Sequence, residues 1–478
     1  MQEHSFLWHD YETFGVNPRR ARPAQFAAIR TDADLNEIGE AINIHCQPAP
    51  DFLPDPISCL ITGITPQHCL RVGLPEHQFA ATIEQELARE NTVGVGYNTI
   101  RFDDEMTRFL FWRNLIDPYA REWQNNCGRW DILDVVRTAY ALRPEGMQWP
   151  INEEGKVSFK LELLSVANQL VHEAAHDALS DVRATIALAR LLKSTQPKLF
   201  DFCFSLRKKE NVSAQIGWPM QKAFLHISGM YPVEQGCLSV VWPLAQHPTN
   251  KNEIIVWDLR YDPRELFTLD ADTIKLRMFS KASALPEGMT RLPIKSIHIN
   301  KSPVVISNLK TLSDERAQHW GIVWDQIFQH RDYAQNAPDM GTIWQSIFAP
   351  KRTEKNDVDE DLYGGFIAPK DRRVLDEIRL SKPAELAQQS INFQDKRLEE
   401  LLLRYRARNF PHTLNADELH DWQELCVRRL VHGEHQDYSI SQYFEKIDEL
   451  AESASDEEQE ILSELYDYAQ EIVPPEEI

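Results

Sequence analysis

The sequence has no C-x-x-C pair, no run of 18 uncharged apolar residues and no surplus of basic charge, and each gap closes off a class of protein. Its 7 cysteines, at positions 46, 59, 69, 127, 203, 237 and 426, are odd in number and widely scattered, which argues against a disulfide framework and against a zinc site. Reduced thiols, the lack of a basic segment followed by an apolar one at the start, and the missing apolar run together lead us to expect a soluble cytoplasmic protein with no membrane segment. No internal repeat or low-complexity tract stands out. A formal charge of -22 looks hostile to nucleic acid, but its distribution matters more than its sum. Residues 445–478 hold thirteen acids and one base, so this tail carries -12 and the first 444 residues only -10. A local basic groove decides phosphate binding, and acidity elsewhere does not exclude a DNA substrate.

What the chain does have is bulk: 478 residues, 42% hydrophobic, with 12 Trp. At roughly 150 residues per domain this suggests about three domains. Residues 1–196 read as α/β. Apolar strands at 5–9, 25–29 and 41–44 precede helical periodicity at 79–87, a short strand at 92–97 and a helix at its end, DALSDVRATIALARLLK. Asp177 is placed to cap that helix and Pro197 lies just past it. From 197 to 350 the texture changes to short β runs, among them CLSVVWP, EIIVWDL, IKSIHIN and PVVI, which predict a small β barrel with inserted helices. The stretch 351–361 is charged and lacks apolar periodicity, so the second boundary is expected there. Helices follow in 351–478, including KRLEELLLRYRARNF, and the acidic end is expected to be a solvated, partly frayed helix.

The organising stretch is HDYETFG, residues 9–15, directly behind Ser5-Phe6-Leu7-Trp8. A strand alternates its side chains, so Asp10 and Glu12 share one face while His9 and Tyr11 take the other. Two carboxylates in one small volume raise each other's pKa, and a divalent cation between them keeps both ionised. Two further stretches supply partners. In GYNTIRFDDE (96–105), Asp103 and Asp104 stand at a strand-to-helix junction, and spacing alone does not choose between them. In HDALSD (176–181), five helical residues turn through about 500°, so His176 and Asp181 would not share a helix face. His176 is therefore expected on the preceding loop, with Asp181 in the first turn. Carboxylates and one histidine at strand ends and helix starts are what two-metal phosphodiester hydrolysis requires, and all-oxygen ligands favour Mg²⁺ or Mn²⁺. Tyr119 and Trp123, four apart, would form an adjacent aromatic pair on a helix, with Arg108 and Arg137 flanking them.

The order of these motifs resembles the DEDDh superfamily of 3′→5′ exonucleases. The fuller strings HDYETFG, RPAQFAAIRTD, LITGITP, GYNTIRFDDE, RWDILDV, ALRPEG and YRARNFP resemble its exonuclease I family through all three expected domains. That resemblance implies a ribonuclease-H-like exonuclease domain (1–196), a Src-homology-3-like β domain (197–350) and an all-α C-terminal domain (351–478). It implies two Mg²⁺ ions on Asp10, Glu12, Asp103 and Asp181, so choosing Asp103, with His176 as general base. Glu12, Arg108, Tyr119, Trp123, Arg137 and Lys160 would contact single-stranded DNA. At Lys160 the related enzymes often carry Arg, and the exchange would lose bidentate phosphate geometry.

The implied activity is release of 5′-mononucleotides from the 3′ end of single-stranded DNA by a monomeric enzyme of DNA repair, with the three domains closing over the strand. A DEDDh exoribonuclease is one alternative, but such a chain would be covered by the first 200 residues. A non-catalytic clamp is another, which the intact acids and His176 argue against. A partner is implied as well. Residues 201–310 hold fourteen Lys or Arg against ten acids, a local +4 that includes Lys222. The resemblance implies that the acidic, apolar-ended C-terminal tail of the single-stranded-DNA-binding protein is gripped near Arg143 and Lys222. Ser313 stands where the family can carry Arg, which is expected to weaken that grip.

Overall fold

The computed structural model describes residues 4–170, 177–349, 356–386 and 391–474. The chain forms two compact units, one of Met1–Gly128, His172–Ile186 and Thr353–Ile478, the other of Arg129–Val171 and Ala187–Arg352.

The first unit is organised around β1 (Ser5–Thr13), which runs beyond the apolar stretch and holds Asp10 and Glu12 inside the strand. It pairs antiparallel with β2 (Pro23–Thr31), setting Asp10 opposite Ala27 and Glu12 opposite Gln25. A register shift at Glu12/Thr13 marks a bulge, a device that re-aims side chains beside functional sites. With β3 (Ile42–His45), β4 (Thr92–Gly96), which is parallel to β1, and β5 (Gly128–Asp131), the sheet runs β3–β2–β1–β4–β5. Two helices, α1 (Glu76–Leu87) and α2 (Asp103–Arg113), bury Phe79, Ile83, Met106 and Leu110 against Leu7, Tyr11 and Phe26. Leu7 and Tyr11 thus join this cluster, and the period-2 alternation sets Asp10 and Glu12 on the opposite face, behind the buried Phe6 and Trp8. The start of α3 (Ala178–Thr195) belongs to this unit too.

The C-terminal helices complete the same unit. They include α4 (Arg397–Asn409), α5 (Ile440–Ala451) and α6 (Asp456–Ile472). Among the described residues the acidic end is helical as expected, but it is packed rather than solvated. Capping boxes at Ser439/Gln442 and Ser455/Glu458 fix the starts of α5 and α6, and Leu462, Leu465 and Ala469 are buried in one cluster with Phe14, Phe52 and Cys59. The charged stretch in which the second boundary is expected is buried from Asp357 to Asp359. Asp357 and Asp359 are buried with Asp51 among Arg22, Arg404, Arg408 and Arg429. The bonds include Arg404 to Asp357 at 2.7 Å, Arg408 to Asp51 at 2.7 Å and Arg429 to Asp359 at 2.8 Å. Opposed charges at this depth require mutual neutralisation, so the network joins the C-terminal segment to the N-terminal one.

The second unit contains an antiparallel sheet of five strands: β6 (Phe224–Ile227), β7 (Leu238–Gln246), β8 (Glu253–Asp258), β9 (Ile294–His298) and β10 (Val304–Ile306). Their order is β10–β6–β7–β8–β9, and each of the four β runs read from the sequence is one of these strands. Among the described residues no helix is long and apolar enough to cross a membrane.

Candidate active site

Three carboxylates converge at the acidic face of β1. Ligand oxygens of Asp10, Glu12 and Asp181 all lie within 4.8 Å of one another. Asp10 and Glu12 come from one strand face, and Asp181 from the first turn of α3, where its N–H donates to the Asp177 carbonyl at 3.0 Å. Burial pushes the Asp10 carboxyl well above the usual carboxylate range, and the charges of Asp103 and Asp181 add to the rise. Glu12 is pushed up to about 9 by burial, then by Asp10 and Asp181. Such mutual repulsion is relieved by a cation, and a set of oxygen donors alone suits a hard divalent ion. The residues therefore fit Mg²⁺ or Mn²⁺.

Asp103 and Asp104 stand in different surroundings. Asp104 is fully buried and accepts from Arg121 Nη2 at 2.6 Å. Asp103, the first residue of α2, is the acid whose charge bears on Asp10. Its helix is fixed to β1 from the core side, because the Tyr11 hydroxyl and Thr107 Oγ1 are 3.0 Å apart and Thr107 Oγ1 donates to the Asp103 carbonyl at 2.8 Å. His9, next to Asp10, is lowered to about 4 by burial and by Arg121, so it is neutral at physiological pH. His176 lies outside the described residues.

The expected aromatic pair is not formed on a helix. Asp117 Oδ1 accepts from the N–H groups of Tyr119 at 2.9 Å and Ala120 at 3.1 Å, and the chain then makes a 3₁₀ turn over Ala120–Glu122. Tyr119 stands before that turn, half-buried beneath the Arg108 guanidinium, 5.3 Å from the ring centre. Trp123 stands after it, 64% exposed. Arg108 is buried and held by Glu122 at 2.7 Å and Glu105 at 2.6 Å, with the Tyr363 hydroxyl 3.2 Å away. In this arrangement Arg108 has its charge already matched, and Trp123 is the accessible member of the group.

Four expected site residues fall in the second unit. Arg137 bonds Asp134 at 2.6 Å and covers Gly229, where a Cβ would come within 2.6 Å of the guanidinium carbon. Lys160 precedes the helix Leu161–Ala167 with its side chain 72% exposed, 3.5 Å from Glu162. Arg143 ends the helix Ile132–Leu142, and its Nη1 donates to the Thr311 carbonyl at 3.3 Å. Lys222 is exposed ahead of β6. Ser313 caps the helix Asp314–His319 by accepting from the Arg316 N–H, a task an Arg side chain does not perform. Sequence reasoning missed Arg121, whose only signal was an Arg beside the aromatic pair, and Gln25, which carried none.

A twisted sheet that presents clustered acids at a strand face and a helix start defines a ribonuclease-H-like nuclease. Comparison with known proteins specifies it further. Residues 7–189 match a family model described as Exonuclease, 207–350 the Exonuclease I SH3-like domain and 356–472 the Exonuclease I C-terminal domain. The chain is 43% identical to exodeoxyribonuclease I of Escherichia coli strain K12 over 476 residues, covering 99% of both, and 41% identical to that of Haemophilus influenzae, covering 98% of both. Among solved structures it is similar to a moderately thermophilic exonuclease I from Methylocaldum szegediense (TM-score 0.94, 44% identity, 98% of this chain and 100% of that one). It is also similar to E. coli exonuclease I in complex with a dA16 oligonucleotide (TM-score 0.93, 42% identity, 98% and 100%). The chain belongs to the exodeoxyribonuclease I family.

Proposed function

We propose that this chain removes 5′-mononucleotides from the 3′ end of single-stranded DNA by two-metal hydrolysis, as a monomeric cytoplasmic enzyme of DNA repair. The observation that carries the reading is the convergence of Asp10, Glu12 and Asp181 within 4.8 Å, with Asp103 close enough to raise Asp10. These four would hold the metals. Mg²⁺ bound there would stabilise charge on the attacking and leaving oxygens of the phosphodiester. His176 would take the proton from the attacking water, and Ala in its place should slow turnover by roughly 10² to 10⁴. Trp123 would stack an unpaired base, and Lys160 and Arg137 would contact the DNA strand, while Arg108 would act chiefly by fixing Tyr119. The three family-model matches, at 7–189, 207–350 and 356–472, support the three-domain reading with divisions near 196/197 and 350/351, although the compact units cut across it: Arg129–Val171 and the chain from Ala187 group with the middle segment, and the rest of the first segment groups with the third.

The partner reading belongs here as well: the tail of the single-stranded-DNA-binding protein would dock near Arg143 and Lys222, supported by the local +4 and the exposure of Lys222. Anisotropy of a labelled tail peptide should show salt-sensitive binding that falls in Arg143→Ala and Lys222→Ala. Binding indifferent to both would remove it. The activity itself is tested by digestion of labelled single-stranded DNA, duplex DNA and single-stranded RNA with Mg²⁺ or EDTA. Preference for RNA would move the chain to exoribonuclease chemistry, and binding without cleavage to a clamp.

A further inference from the structure

Gln25 lies directly across from Glu12 in the antiparallel β1–β2 pair, so the two side chains share the face that carries Asp10. It is 4% exposed and its amide is fully used. Nε2 donates to Asn43 Oδ1 on β3 at 2.9 Å and to Asp177 Oδ1 at 3.2 Å, and Oε1 faces the Ala178 N–H at 3.5 Å. A carboxylate on one side and an N–H on the other fix which way the amide points. Its partners are the start of α3. Asp177 uses its other oxygen to accept from the Ser180 N–H at 3.1 Å, and its carbonyl accepts from the Asp181 N–H at 3.0 Å. One side chain therefore ties the strand next to Glu12 to the helical turn that presents Asp181.

We infer that Gln25 is a positioning residue that sets the spacing between the β1 acids and Asp181, and with it the affinity of the metal site. This rests on the two-metal reading above. The acids repel one another, so without a tether the first turn of α3 is free to drift outward and relieve the repulsion; the Gln25 amide opposes that drift. Asn43 orients the amide and acts one step further away. Partners of this kind, outside the ligands themselves, commonly govern metal affinity by roughly 10- to 100-fold.

The test is calorimetric Mn²⁺ titration of the full chain, together with the Mg²⁺ concentration for half-maximal hydrolysis of single-stranded DNA. Gln25→Met keeps the side-chain volume and removes both polar atoms. It should weaken Mn²⁺ binding by roughly 10- to 100-fold and raise the Mg²⁺ requirement in proportion, with KM for DNA unchanged at saturating metal. Asp177→Ala should do the same, and the double variant should be no worse than the weaker single one, because the two residues form one tether. Asn43→Ala should shift affinity in the same direction by less, and it carries the test should Gln25→Met not fold. Unchanged Mn²⁺ affinity, or additive losses in the double variant, would overturn the inference while leaving the function standing. A wild-type chain that neither binds Mn²⁺ nor cleaves DNA would overturn both.

Discussion

The Asp104 carboxylate meets the Arg121 guanidinium at 2.6 Å with both side chains closed off from solvent, one residue away from an acid whose charge is felt by Asp10. Neighbours in sequence thus serve opposite ends. Asp104 offsets a buried cation, and removing either member of such a pair costs about 3 to 5 kcal/mol. Asp104→Ala and Arg121→Ala should therefore lower stability to urea. Asp103→Asn should instead leave stability unchanged or raise it in metal-free buffer, by relieving repulsion, and abolish hydrolysis. Equal urea midpoints for Asp103→Asn and Asp104→Ala would contradict this division of labour.

The buried network of Asp51, Asp357 and Asp359 predicts a dependence on acid. Burial alone would raise these carboxyls, but the surrounding arginines hold Asp51 and Asp359 below the ordinary carboxylate range of 3.8. A carboxyl whose folded pKa is depressed adds stability that is full above the unfolded pKa and fades as pH falls through the folded value. Wild type should therefore lose this contribution only below about pH 4. Asp359→Asn, which leaves arginine charge uncompensated, should lower stability at pH 7 by about 3 to 5 kcal/mol and flatten the acid limb. Urea unfolding from pH 3 to 7 measures both.

Tyr119 and Trp123 should part company on substitution. Trp123→Ala removes an exposed ring and should weaken single-strand binding by about 1 to 3 kcal/mol with thermal stability unchanged. Tyr119→Ala exposes Arg108 and its neighbours and should lower the melting temperature. Filter binding with a short oligonucleotide, paired with calorimetry, separates them; equal losses of affinity without loss of stability would restore the pair as a joint stacking platform.

The acids of β1 were legible because strand alternation is a local rule: Asp10 and Glu12 two apart must share a face whatever surrounds them. Four of the five strands in the second unit's sheet were legible for a different reason, as short apolar runs set between polar clusters, while β6 was not read. What failed to show were features set by distant partners. Asp357 and Asp359 sit in a stretch that is charged and without apolar periodicity, and it is distant arginines, Arg22 far upstream and Arg404, Arg408 and Arg429 some fifty to seventy residues on, that make it core. In the acidic tail, charge count hid an amphipathic helix whose Leu462 and Leu465 are buried. The Tyr119–Trp123 spacing implied a helix, but Asp117 caps a 3₁₀ turn there instead. Gln25 was silent because an amide acquires meaning only from what it bonds.

Metal binding should also be visible without catalysis. A ligand held by the folded state alone raises stability by mass action. Mg²⁺ should raise the melting temperature of wild type, and of His176→Ala, but much less that of Asp10→Asn. Equal shifts in all three would place the ion elsewhere.

The most direct test of the account is hydrolysis of a 5′-labelled single strand by wild type and Asp181→Asn across a Mg²⁺ titration, with DNA affinity measured in parallel. Wild type should shorten the label-bearing strand progressively from its 3′ end as Mg²⁺ rises and stop in EDTA, while Asp181→Asn binds the strand and leaves it intact. Undiminished cleavage by Asp181→Asn, or by wild type in EDTA, would contradict a metal-dependent exonuclease centred on these carboxylates.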